Sequence, residues 1–172
     1  MQIATWNVNS VRARQERVTA FLQRTNVDVL AMQEIKCKPE QFPVEAFEAI
    51  GYKIISHGLN QWNGVAFAYK QDLEAEDIET SFDQQPEFKD VQEARALGAT
   101  FNGVRVWSLY VPNGRGFDDP HMQYKLEFLD RLAATTAEQL EIDPGLEIAL
   151  VGDFNVAPLD TDVYDLSMFE TH

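Results

Sequence analysis

Leu-Glu-Ile-Ala-Leu-Val-Gly-Asp-Phe-Asn-Val-Ala-Pro, residues 146–158, is the stretch on which the fold turns. Pro144-Gly145 precede it and Pro158 closes it, so a short apolar run between turn signals predicts a strand buried on both faces, in mid-sheet. Gly152 would let neighbouring atoms come close. Period-2 alternation sends the side chains of Asp153 and Asn155 to one side of the strand's carboxyl end and Phe154 to the other. Two readings of the pair stand open at this point. The carboxylate and amide share a functional rim, or they only start the turn before Pro158.

The amino-terminal segment repeats the pattern. Ile3 to Val8 mixes β-branched and aromatic residues in a strand, with Asn7 and Asn9 alternating at its end and Ser10 placed to cap a helix. From Val11 to Thr25, Val11, Val18, Phe21 and Leu22 fall on one helical stripe, and Asn26 ends it. Val27 to Met32 then predicts a second buried strand, closed by Gln33-Glu34. Strand, helix, strand in that order predicts a parallel pair with Asn7 and Glu34 at one carboxyl edge, where open α/β sheets place their chemistry.

Further along, Pro43 opens a short helix to Ile50, stopped by Gly51. Residues 52–57 and 64–69 form a predicted hairpin around 58–63. Residues 71–93 carry nine acids against the single Lys89 and few apolar residues, which predicts an exposed connection. Ala94–Phe101 and Val104–Val111 flank Asn102-Gly103, a strong hairpin signal. A long helix follows from about Pro120 to Leu140, its apolar face made by Met122, Leu126, Leu129, Leu132 and Ala133. No internal repeat or low-complexity tract interrupts the chain.

A chain of 172 residues, 45% of them hydrophobic, can bury one sizeable core, and one domain over residues 1–172 is expected. No apolar stretch approaches membrane-spanning length, and the chain enters a strand-like pattern at once, so a cytoplasmic protein without a membrane partner is expected. The lone Cys37 excludes an internal disulfide and a multi-cysteine zinc site. The net charge of −14 argues against indiscriminate binding to a polyanion. However, residues 1–38 hold six Lys or Arg against three acids, and an acidic protein can also meet a phosphate through a bound divalent cation.

Four strand ends carry polar groups that a buried strand does not need: Asn7, Glu34, Tyr110 and the Asp153/Asn155 pair. Each alone has a plain structural explanation, as turn former, surface acid or half-buried aromatic. Together, one Glu and one Asn with waters suit magnesium, which binds through few carboxylates plus substrate phosphate. Asp160-x-Asp162 fails as a calcium loop, because Asp165 and Thr171 stand where Gly and Glu are required. His57 and His121 lack partners at metal-ligand spacing and read as structural or surface residues. A phosphate-cradling glycine loop, a nucleophile elbow and a dinucleotide fingerprint are all absent.

Taken in order, Ala4-Thr5-Trp6-Asn7-Val8-Asn9-Ser10-Val11-Arg12-Ala13-Arg14, Met32-Gln33-Glu34-Ile35-Lys36, Asn63-Gly64-Val65-Ala66, Glu93-Ala94-Arg95, Tyr110-Val111-Pro112-Asn113-Gly114 and Gly152-Asp153-Phe154-Asn155-Val156-Ala157-Pro158 resemble one family. It is that of the exonuclease III-type apurinic/apyrimidinic endonucleases, within the endonuclease/exonuclease/phosphatase superfamily. The resemblance implies an α/β protein, a DNase I-like four-layer αββα sandwich, incomplete at the carboxyl end because the family pattern continues for roughly a further third of its length. Implied too is metal-dependent hydrolysis of the DNA backbone 5′ to abasic sites, with 3′–5′ exonuclease and 3′-phosphodiesterase work. The implied cofactor is Mg2+, or Mn2+, the implied partner is double-stranded DNA with abasic or 3′-blocked sites, and a monomer is expected.

By that resemblance Asn7 and Glu34 would hold the metal, Tyr110 and Asn155 would meet the scissile phosphate, and Asp153 would handle a proton. Asn63, Arg95 and Asn113 would bind substrate, with Gln33 and Lys125 as positioning groups. Asn60 stands where many members of that family carry Lys, which puts one phosphate contact in question. The family's further Asp and its Ser-Asp-His motif lie beyond His172. The alternatives are a superfamily phosphatase acting on small phosphate esters, and a non-catalytic truncated fragment that binds metal or DNA.

Overall fold

The computed structural model describes residues 1–165; residues 166–172, the end of the expected domain, lie outside the described residues. Strands β1 (Ile3–Asn7), β2 (Val29–Gln33), β3 (Tyr52–His57) and β4 (Val65–Lys70) form one sheet in the order β1-β2-β4-β3. Strands β5 (Glu76–Glu79), β6 (Ala96–Phe101), β7 (Val104–Tyr110) and β8 (Glu147–Asp153) form a second, in chain order. As the strand-helix-strand order predicts, β1 and β2 are parallel, joined by helix α1 (Val11–Thr25), and Asn7 stands opposite Gln33. Ser10 Oγ accepts from the Ala13 N–H at the amino end of α1, and Asn26 ends it in the left-handed conformation.

Three apolar layers hold four layers of structure. Val11, Val18 and Leu22 of α1 and Phe47 of the short helix α2 (Val44–Glu48) cover Leu30, Met32, Ala66 and Ala68 on the outer face of the first sheet. Its inner residues Val29, Ala31, Val65 and Phe67 pack on Leu97, Ala99, Phe101 and Val106 of the second sheet. The outer face of that sheet, with Trp107 and Leu109, is covered by Phe128 and Leu132 of helix α3 (Pro120–Ile142). The expected αββα sandwich is therefore what these residues build. Alternation explains it, since Val29 and Ala31 look inward while Leu30 and Met32 look outward.

Three expectations are corrected. Among the described residues β8 pairs with β7 alone and is the terminal strand of its sheet, half-buried rather than mid-sheet. An apolar run reports burial of faces, not the presence of two lateral neighbours. The acidic segment is not all loop: β5 pairs antiparallel with β6, and Phe82 is buried against Trp107 and Phe128. Every residue of β5 is exposed, so the strand is held by its backbone ladder and by the buried Arg105 of β7, which pairs with Glu79 and donates to the Asp77 carbonyl, and composition registers neither. The apolar face of α3 is also shifted from the expected one: Tyr124, Phe128, Leu132 and Thr135 are buried, whereas Leu126 and Ala133 are exposed.

The Asn102-Gly103 hairpin forms as expected, with φ of 49° and 82° at the two turn residues. Gly152 is required where it stands. Its φ is 148°, and a Cβ there would lie 1.9 Å from the Leu109 carbonyl oxygen on β7.

Candidate active site

The topology gathers six strand ends at one edge. Strands β1, β2, β7 and β8 run in parallel pairs and finish there, while β4 and β6, antiparallel to their neighbours, begin there. Asn7, Glu34, Tyr110 and Asp153 thus follow or close four strands, and Asn63 and Arg95 precede two others. The β1 and β2 turns continue the parallel ladder, with Val8 and Ser10 N–H donating to the Gln33 and Glu34 carbonyls. Asn9, Ser10, Glu34 and Lys36 all have positive φ there, an uncommon backbone concentrated at one spot.

At the centre stands the Asn7 amide. Its Nδ2 donates to Glu34 Oε1 at 2.8 Å and to Asp153 Oδ2 at 2.7 Å, so one nitrogen joins two carboxylates from opposite sheets. Asn7 Oδ1 accepts from the Asn9 N–H. The other Glu34 oxygen, Oε2, meets Lys36 Nζ at 2.9 Å. Burial pushes the Glu34 carboxyl up, but hydrogen bonds from Asn7 and Lys36, the Lys36 charge and the Tyr110 hydroxyl outweigh it and hold the group below its ordinary value. It stays an anion. Glu34, Asp153, Asn7 and Asn155 offer oxygen donors, the set that suits a hard divalent cation with water completing its shell. Among the described residues no group of three or more His, Cys, Asp or Glu could hold a metal by itself.

Asp153 Oδ1 accepts from the Asn155 N–H at 3.0 Å, and Asn155 has a φ of 50°. Asp153 therefore starts a turn through one oxygen and faces Asn7 at the rim through the other. Strict alternation does not extend to Asn155, because β8 stops at Asp153. Phe154 points the other way, into the layer under α3. Asn155 Nδ2 donates to the Val111 carbonyl at 2.9 Å, Asn113 Nδ2 donates to Asn155 Oδ1 at 3.4 Å, and Lys125 Nζ reaches the Asn155 carbonyl at 2.6 Å. Asn113 is exposed at this rim.

Asn63 and Arg95, expected at the substrate, stand behind the rim instead. Asn63 is 1% and Arg95 8% exposed, because the antiparallel strands they precede carry them under the edge. Glu93 joins them: its Oε1 accepts from Asn63 Nδ2 at 3.3 Å and its Oε2 from Arg95 Nε at 2.7 Å. The guanidinium then lies 4.8 Å from the Tyr110 ring and donates to the Tyr110 carbonyl. Burial first, then the Glu34 charge, push the Tyr110 phenol up to about 12 against the opposing Arg95 cation, so its hydroxyl remains a protonated donor. The sequence reading gave Glu93 no role. Its signals were its place in the family-like stretch Glu93-Ala94-Arg95 and the i, i+2 spacing to Arg95 before a strand. Gln33 is fully buried, with Nε2 on Thr5 Oγ1 and Ser108 Oγ, and so ties the two sheets beneath the site.

Two sheets with carboxylates, amides and a phenol converging on one edge define the class, and the chain belongs to the Endonuclease/Exonuclease/phosphatase family, whose sequence pattern matches residues 4–171. Among individual proteins it is similar to exodeoxyribonuclease III of Haemophilus influenzae, with 30% identity over 95% of this chain and 60% of that protein. Its fold superposes on an AP endonuclease from Archaeoglobus fulgidus with a TM-score of 0.87 and 37% identity, covering 100% of this chain and 64% of that one. A 3′ phosphatase from Neisseria, solved bound to product DNA hairpin, superposes with a TM-score of 0.86 and 32% identity over 99% of this chain and 63% of that one. The chain thus spans less than two thirds of the length of each of these three proteins.

Proposed function

We propose that this chain is the phosphate-handling part of a DNA-repair nuclease, a metal-dependent phosphodiesterase that cuts the backbone 5′ to abasic sites and also trims 3′ ends. The observation that carries this reading is the Asn7 amide joining Glu34 and Asp153 at 2.8 and 2.7 Å, beside a protonated phenol. The likeness to a DNA-bound 3′ phosphatase and to an AP endonuclease supports the substrate class.

In this reading the Glu34 carboxylate, with Asn7 beside it, would hold Mg2+, or Mn2+, and the ion would supply charge stabilisation at the phosphoryl oxygens; the Asn7 amide, whose nitrogen faces Glu34 here, would have to turn for its oxygen to join the site. Tyr110 donates its O–H, and Asn155 its side-chain N–H, to the non-bridging oxygens as negative charge grows there. Asp153, with lone pairs left after its bonds to Asn7 and the Asn155 N–H, takes the proton of the attacking water or serves the leaving oxygen. Asn113, exposed on the rim, meets the strand beside the cut. Arg95 and Asn63 act from behind through Glu93, holding Tyr110. The exposed Arg12 of α1, which donates to the Lys36 carbonyl beside the site, offsets the overall charge of −14 where DNA approaches. We further propose a single domain, acting as a monomer in the cytoplasm.

The test is a substrate screen with the full-length protein. Duplex carrying an abasic site, duplex with a 3′-phosphate, and small phosphate esters are each offered with Mg2+ and with chelator. Metal-dependent nicking 5′ to the abasic site supports the reading; turnover of small esters alone replaces it with a phosphatase.

A further inference from the structure

Lys36 follows Glu34 by two residues, and both have a φ of 52°. Its Nζ lies 2.9 Å from Glu34 Oε2 and 2.5 Å from Asn9 Oδ1. Since Asn7 Nδ2 engages Oε1, both oxygens of the carboxylate already face a donor. Lysine and a hard divalent cation seek the same oxygens, and two positive charges cannot share one carboxylate without strong repulsion. Escape is open, because the Lys36 side chain is 29% exposed on a flexible four-carbon stem. An arginine fork or a buried lysine would lack that freedom.

We propose that Lys36 is a built-in competitor of the divalent cation. Its ammonium holds Glu34 in place and neutralises it while no metal is bound, and it must withdraw from Oε2 when the metal arrives. The proposal rests on the reading of Glu34 as a metal carboxylate and adds to it a residue that sets how tightly metal is held. The ion pair also keeps Glu34 from pointing into solvent, so a preformed carboxylate and a weakened metal affinity come from the same side chain.

Mn2+ alone, without DNA, is titrated into the full-length wild-type protein, Lys36→Gln, Lys36→Met, Lys36→Arg and Glu34→Gln, and free Mn2+ is followed by its electron paramagnetic resonance signal. Both neutral variants are expected to bind about tenfold tighter or more, because a unit charge a few ångströms from a divalent ion is worth that much even in a water-like dielectric. Lys36→Arg should bind no tighter than the wild type and, because a guanidinium fork leaves the carboxylate less readily, somewhat more weakly, and Glu34→Gln should bind more weakly. Wild-type or weaker binding by both neutral variants, with Glu34→Gln impaired, overturns the proposal while the metal carboxylate stands. Unimpaired binding by Glu34→Gln overturns the metal assignment of Glu34, and the proposal with it.

Discussion

Asn7, which ends the first strand, donates its side-chain amide to Asp153, which ends the last, at 2.7 Å across the gap between the two sheets. The same nitrogen binds Glu34. A single amide therefore sets the distance between the carboxylate proposed for metal and the one proposed for proton transfer, and it does so from the strand opposite Asp153.

Asp153→Asn should lower turnover on abasic duplex by about 10²–10⁴-fold while duplex binding survives, since the change keeps the size but removes the proton acceptor. Loss of one negative charge facing a phosphate should leave binding equal or slightly tighter. Single-turnover cleavage and duplex binding, measured side by side in the full-length protein, check this. Cleavage within a few-fold of the wild type would leave Asp153 only its structural bonds to Asn7 and Asn155.

Glu93→Ala should cost about 3 kcal/mol of stability, because it strands the buried Arg95 guanidinium and a buried Asn63 amide at once. If Glu93 serves Tyr110 through Arg95, Glu93→Gln should lower kcat with little change in KM. Chemical denaturation and steady-state kinetics together separate the two effects.

Alkaline pH should weaken the fold through two phenols. Burial raises Tyr110 and Tyr124 from 10.0 to about 12 in the folded chain. As pH rises the unfolded chain releases these protons first, so the stability they contribute is present below about pH 10 and is lost between about 10 and 12. Urea midpoints measured at pH 9 and pH 11 should fall, and Tyr110→Phe should make the fall shallower.

Gly152→Ala should destabilise by about 3 kcal/mol or more, since the added methyl meets the Leu109 carbonyl at 1.9 Å on a backbone of φ 148°. Because Gly152 pairs with Leu109 immediately before Asp153, the variant should also lose activity beyond what its stability explains. Thermal melts and cleavage rates well below the transition check both parts.

The sequence by itself determined the local parts of this protein. Val11, Val18 and Leu22 at helical spacing, Leu30 and Met32 alternating with Val29 and Ala31, and Asn102-Gly103 at a turn are periodic or chemical signals carried within a few residues, and each is realised. The parallel β1/β2 pair followed from a strand, a helix and a strand in succession, which is why Asn7 and Glu34 were placed together correctly. What only the tertiary structure decided is non-local. The exposed β5 ladder depends on backbone groups of β6 and on the Arg105 guanidinium of β7, which pairs with Glu79, not on any apolar side chain of its own. Asn63 and Arg95 lie beneath the rim because β4 and β6 start where their neighbours end, an outcome of strand pairing that no residue near them encodes. The meeting of Asn7 with Asp153 needed two sheets to stack face to face, since alternation fixes which side of a strand a residue occupies but not what is packed against it.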